Sequence, residues 1–220
     1  MPSTTLLVLA DGRFPAGGHA HSGGLEAAVA AGRVADLDGV AGFLRGRLET
    51  AGLVSAAFAA AACAGGATVD ELEGALDART PSPAQRLASR RQGRAMARAG
   101  RNIWPSAELD ALSARPGGPH HAVALGLVAA AAGLGARQAA LAAAYSAVTG
   151  PASAAVRLLG LDPYRVHRLV ADLAEACDTV ADRATACAAV PVEALPSAGA
   201  PLLDISAEVH AGWEVRLFAS

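Results

Sequence analysis

Lysine is absent from this 220-residue chain, and all 18 basic residues are arginine. Without lysine there is no GK[ST] phosphate loop and no amine to form a Schiff base, so Walker-type nucleotide hydrolysis and imine chemistry are excluded. Cysteine is scarce. Cys63, Cys177 and Cys187 are odd in number and form no C-x-x-C pair, which leaves neither a disulfide framework nor a cysteine zinc site. They read as small core residues in a reducing compartment. The formal charge of −2 predicts no whole-protein attraction to nucleic acid or to a membrane surface. The opening "MPSTTLLVLADG" has no basic start and meets Asp11 early, so no signal peptide is expected. Ala51 to Val69 and Pro116 to Ala136 carry no Asp, Glu or Arg, but both are rich in Ala and Gly. They are too weakly apolar for a bilayer and read as buried helices of a cytoplasmic protein.

Aromatics make up 4% of the chain, while the hydrophobic fraction of 53% is largely alanine. Alanine is the strongest helix former, and small side chains let helices approach closely. No strand-like alternation persists over a useful length, so the expectation is an all-α, single-domain compact helical bundle over residues 1–200. Asp36 is placed to cap a helix whose Val40, Phe43, Leu44, Leu48, Ala51 and Val54 share a face, and Gly65-Gly66 ends it. A short acidic helix over Val69 to Ala78 stops at "TPSP", and another covers Pro83 to Gly100. Two helices of about four turns follow "ARPGGP", and Pro151 stands where a third begins. Asp162-Pro163 is a strong helix start. From there the stripe Val166, Leu169, Val170, Leu173, Cys177, Val180, Ala184 and Cys187 predicts one helix running towards Pro191, roughly 40 Å long at about 1.5 Å per residue. Residues 201–220 form a C-terminal tail with Ile205, Val209, Trp213 and Leu217 at helix-like intervals. A terminus with this content docks on its own core or awaits a partner.

Two constellations bear on chemistry. His19 and His21 form H-x-H inside "FPAGGHAHSGGLEAA", a pattern able to hold Ni²⁺, Cu²⁺ or Zn²⁺ weakly. No Cys, Asp or Glu cluster lies nearby to complete a ligand set, so capping or solvated loop histidines are the competing reading. Arg86, Arg90, Arg94 and Arg98 recur four apart with no acid between Arg79 and Glu108. Like charges at that spacing repel. Either the ridge is a solvated face, or an acidic partner, an acidic neighbouring helix or phosphate offsets it. Ser22 in "HSGG" is not a nucleophile elbow, and the scattered carboxylates give no catalytic pair.

The opening segment "LLVLADGRFPAGGHAHSGGLEAAVAAGRV" resembles the N-terminal signature of the urease accessory protein F family, through Pro15, Gly17-Gly18, His19, Ala20, His21, Ser22 and Gly24-Leu25-Glu26. The segments "SRRQGRAM" and "YSAVTGPASAAVRLLGLDP" are similar to the family's middle, and "PLLDISAEVHAGWEVRLFAS" to its close, with His210 at the histidine. The resemblance implies an all-α protein that is not a catalyst and carries no cofactor. It implies binding to an accessory protein of the D or H type, dimerisation, recruitment of the accessory GTPase G, and presentation of the assembly to apo-urease for nickel incorporation. It also makes Arg216, Leu217 and Phe218 the leading partner-binding residues and Pro15, Gly17, Gly18, Ser22, Gly24 and Glu26 a shaped loop; the residues themselves add Trp213 of the tail and Arg86, Arg90 and Arg94 of the ridge as further partner-binding candidates. His19 stands where the family often has an aromatic. Ala219 replaces the usual arginine, which removes a contact worth roughly 1–3 kcal/mol where buried.

Two other classes compete on residues alone: a metal-dependent hydrolytic enzyme using His19, His21 and His120, and a helical nucleic-acid binder using the arginine ridge. Turnover by the lone protein marks the first, and salt-steep DNA binding the second.

Overall fold

The uncharged run after Ala51 has no polar face to offer water, and it becomes the centre of the molecule. The computed structural model describes residues 3–220; Met1 and Pro2, which head the segment read for a signal peptide, lie outside the described residues. The helices are α1 (Ser3–Ala10), α2 (Leu25–Ala30), α3 (Leu37–Arg47), α4 (Leu53–Ala64), α5 (Val69–Arg79), α6 (Pro83–Ile103), α7 (Ala107–Ser113), α8 (His121–Ala131), α9 (Ala136–Leu159), α10 (Pro163–Asp172), α11 (Ala174–Ala186) and α12 (Pro201–Ala211). No strand occurs among the described residues, and the chain forms the all-α single domain expected from its composition.

A helix that is apolar all round is stable only when enclosed. Helix α4 is buried at Leu53, Val54 and every residue from Ala56 to Ala62, and α8, α9 and α11 pack around it. Alanine and glycine make the packing close. A Cβ at Gly126 of α8 would lie 2.3 Å from the carbonyl oxygen of Ala59, so only glycine permits that crossing. On its other side α8 is covered by α6, whose neighbours are α7 and α12. The stretches Leu37–Ala64 and Ala136–Leu159 are long and apolar enough to cross a membrane, yet 61% of each apolar window is buried inside the fold.

The local signals act as their chemistry dictates. Asp36 Oδ1 accepts from the Gly39 N–H at 2.8 Å and starts α3, which runs through a π turn at Leu48–Gly52 into α4. Gly65, at φ 72°, ends it. Two expectations fail. Pro151 does not open a helix but lies inside α9, because the buried stripe Ala144, Ala147, Val148, Pro151, Ala152 and Ala155 continues across it. That burial outweighs the hydrogen bond proline removes. The helix from Asp162 is also broken: Leu173, at φ −93° and ψ 0°, separates α10 from α11. The bend puts Cys177, Val180, Ala181 and Ala184 against the core.

Between α11 and α12 the chain has little regular structure, and one cation fixes it. Arg79 donates to the carbonyls of Val192, Glu193, Leu195 and Pro196 at 3.0–3.1 Å and to Ala75 in its own helix. Its guanidinium also lies 5.4 Å from the Phe58 ring centroid. Replacing Arg79 with Met orphans these acceptors. The expected loss is about 2–4 kcal/mol of unfolding free energy, read as a lower urea midpoint at unchanged slope.

Candidate interaction site

Gly23 and Gly24 adopt φ of 63° and 94°, the left-handed region closed to most side chains, and they turn the N-terminal loop into α2. A Cβ at Gly24 would also come within 2.9 Å of Leu203 Cδ2. This turn exists to bring Ser22 and Glu26 beneath the C-terminal residues. Ser22 is fully buried; its N–H and its hydroxyl both donate to the carbonyl of Ser220, at 2.7 and 2.9 Å. The Ala219 N–H donates to the carbonyl of Ala20 at 2.7 Å. Ala219 is thus held through its backbone.

Glu26 is the hub. Its Oε1 accepts from the Leu217 N–H at 2.8 Å and its Oε2 from the Phe218 N–H at 3.1 Å, while His210 Nε2 lies 2.8 Å from Oε2. Burial pushes the Glu26 carboxyl up, but His210 and the two backbone N–H groups outweigh that and hold it below the usual carboxylate range. His210 is itself buried, its ring 4.7 Å from that of Trp213. Phe218, expected at a partner interface, is instead inside the protein at 4% exposure, with the Arg157 guanidinium 4.7 Å from its ring centroid. Arg216 and Leu217 remain exposed and Trp213 half-buried.

Helix α12 inverts the usual pattern. Its buried residues are Ser206 and His210, while Leu202, Ile205 and Val209 are each 58–64% exposed on one face. Polar contacts hold the inner face: Arg33 donates to Ser206 Oγ at 2.6 Å, Gln85 to Asp204 at 3.1 Å, and Glu208 accepts from Ser82 and from the Ala84 N–H at the start of α6. The spacing expected from Ile205 to Leu217 is helical only as far as Ala211.

Within the arginine ridge, Arg90 and, more loosely, Arg86 find acids at home. Arg90 bridges Glu73 and Asp77 of α5, both at 2.8 Å, and donates to the Gly118 carbonyl. His120, predicted as a candidate ligand, is buried in the same network: its N–H donates to Glu73, and its ring nitrogens meet Asp77 and Ser89 at 2.9 Å. Arg86 and Arg94 donate to the carbonyls of Thr80, Pro81 and Gly117. Sequence reading missed Glu73, Asp77 and Ser89. The signal was available in the four-residue spacing of Glu73 and Asp77 matched to that of Arg86 and Arg90. Pro15, Gly18 and His19 are exposed and Gly17 is half-buried; His21 Nδ1 lies 2.7 Å from Ser220 Oγ, and burial, then Arg91, lowers its pKa to about 4. No group of three metal-ligating side chains occurs among the described residues.

Removing the Glu26 carboxylate leaves His210 and two backbone donors without an acceptor. In Glu26→Ala the segment after Gly212 should detach, and tryptic cleavage after Arg216, followed by mass spectrometry, should accelerate about tenfold or more at retained helix content.

The UreF family model matches residues 34–174. The chain is similar to the urease accessory protein UreF of Mycobacterium sp. (strain JLS), 48% identical over 217 residues that cover 99% of this chain and 98% of that one. It is likewise similar to the urease accessory protein UreF of Mycobacterium marinum, 47% identical over 215 residues (98% and 97%), and of Mycobacterium tuberculosis strain H37Rv, 44% over 205 residues (93% and 92%). The chain belongs to the UreF family of urease accessory proteins, and it is an accessory protein rather than an enzyme.

Proposed function

We propose that this protein is a cytoplasmic assembly factor for nickel incorporation into apo-urease, bridging the D/H-type accessory protein and the accessory GTPase G, as a dimer within the complex. The observation that carries the reading is the outward apolar face of α12, Leu202, Ile205 and Val209, continued by exposed Val215 and Leu217. A helix that turns its polar side inward and its apolar side to water has the surface of an interface awaiting its other half. Arg216, between Val215 and Leu217, supplies a charge able to pair with a partner carboxylate at the rim. Phe218 and Glu26 serve indirectly, by fixing the backbone on which these side chains are displayed. Residues 201–220 are thus the partner-binding tail, carried on the body formed by residues 1–200.

The double variant Ile205→Asp/Val209→Asp changes exposed positions only, so it should fold normally. Its capture of the D/H-type accessory protein in a pull-down should weaken at least about tenfold. Deletion of Arg216 to Ser220 should do the same, and undiminished capture by both sinks the reading.

The same reading gives the loop histidines no ligand role. His19→Ala/His21→Ala should leave urease activation largely intact in a strain carrying the accessory set. Loss of nickel loading with the complex still assembled is the contrary result.

A further inference from the structure

A cavity of about 250 Å³ lies between the Gly23–Gly24 turn, the end of α3, the starts of α6 and α8, and the C-terminal residues. Its charge is lopsided. Asp204 is the single acidic side chain on its wall and is already occupied by Gln85 Nε2 at 3.1 Å. Against it stand four arginines: Arg79, whose N–H groups are taken up by carbonyls, and Arg47, Arg91 and Arg216, none of which has a carboxylate within ion-pair distance among the described residues.

Arg47 is the telling member. It is the last residue of α3, and its side chain turns under the loop, where Gly23 makes room: a Cβ there would lie 3.0 Å from Arg47 Cζ. Nη1 donates to the Gly23 carbonyl at 2.8 Å, but Nε is buried with no hydrogen-bond partner. Burial alone pulls the Arg47 pKa down to about 10, still far above neutrality, so the charge persists. A partly buried guanidinium whose Nε is covered and unpartnered, with no counter-ion, is costly unless something anionic arrives. The imidazole of His121 also lines the space, with no ring hydrogen bond among the described residues, and is neutral at pH 7 because burial, then His21, lowers its pKa to about 4. A neutral imidazole is a usable N–H donor. Two imidazoles alone would suit a divalent cation, but the four guanidiniums on the same wall oppose one.

We propose that this cavity is a binding site for a small oxyanion of the carboxylate or phosphate class, held chiefly by Arg47 with Arg91 and His121. The proposal is independent of the assembly role. The test uses the isolated full chain at constant ionic strength, titrated with inorganic phosphate and, separately, with acetate. Thermal midpoint and the imidazole C2–H resonances are followed. A saturable rise in midpoint is expected with at least one probe, with the His21 and His121 signals moving along the same isotherm. The probe that saturates at lower concentration identifies the tetrahedral or the planar anion as the preferred form. Arg47→Gln should weaken the affinity about tenfold or more while capture of the D/H-type protein persists, and Arg98→Gln, on the exposed side of α6, should change nothing. If Arg47→Gln does not fold, Arg91→Gln and His121→Gln should each weaken binding about threefold or more. The site is refuted by no saturable response to either probe up to tens of millimolar, by affinity indifferent to all three substitutions, or by nickel ion alone shifting both histidine signals while the anions do not.

Discussion

Glu26 carries a carboxylate beneath the surface, and a charge there persists only when its oxygens are fully supplied with donors. The supply comes from His210 and from the backbone N–H groups of Leu217 and Phe218, which lie 184 to 192 residues further along the chain. That requirement couples the two ends of the polypeptide. The glycine turn at Gly23–Gly24, the buried Ser22, the retraction of Phe218 and the outward display of Arg216 and Leu217 all follow from it. Loss of the charge by protonation would remove the same contacts, but the donors around Glu26 favour the ionised form and move that event further into acid.

A second constraint is the poverty of large side chains in the core. An alanine-lined interior gains less from each buried residue than one of Leu and Phe, so the helices must come close to recover dispersion contacts. The crossing at Gly126 shows how close: no atom larger than hydrogen fits between α8 and the backbone of α4. Elements at the periphery lack such contacts and are held by directed polar bonds instead. Arg79 gathers the loop before α12, the Glu73–Asp77–Arg90–His120 network joins α5, α6 and the start of α8, and Glu208 ties α12 to the start of α6. Removing one partner of a buried ion network leaves the other stranded, so these sites are more sensitive than their share of buried area suggests.

The helices were legible wherever their ends are set locally. Asp36, Gly65 and Asp162-Pro163 act within four residues of themselves, and each does in the fold what its side chain or backbone dictates. Pro151 and Leu173 were misread because the decision there is tertiary: burial along α4 carries α9 through a proline, and the same core bends the α10–α11 stripe with no breaker residue to announce it. At the interaction site, the motif residues Ser22, Glu26 and His210 were named from resemblance, but their mutual contact spans nearly the whole sequence and has no local signature. Phe218 shows the limit of reading hydrophobicity at a terminus. An aromatic near the end of a chain serves equally as anchor or as bait, and only the packing around it, here Arg157, tells which.

The absence of lysine gives the arginines a shared logic. Arg79 serves five carbonyls, a task that a planar fork with five donors performs and a single ammonium with three does not, and Arg90 spreads its fork over two carboxylates and a carbonyl. A fold that uses guanidinium groups so fully makes its unspent ones conspicuous. Arg98 faces water, where an unpaired charge costs nothing. Arg47 does not have that excuse, because its Nε is covered by the same loop that presents the C-terminal residues. The loop at Gly23–Gly24 is therefore built over a positive charge and beneath the C-terminal residues, whose backbone Glu26 holds from the other side.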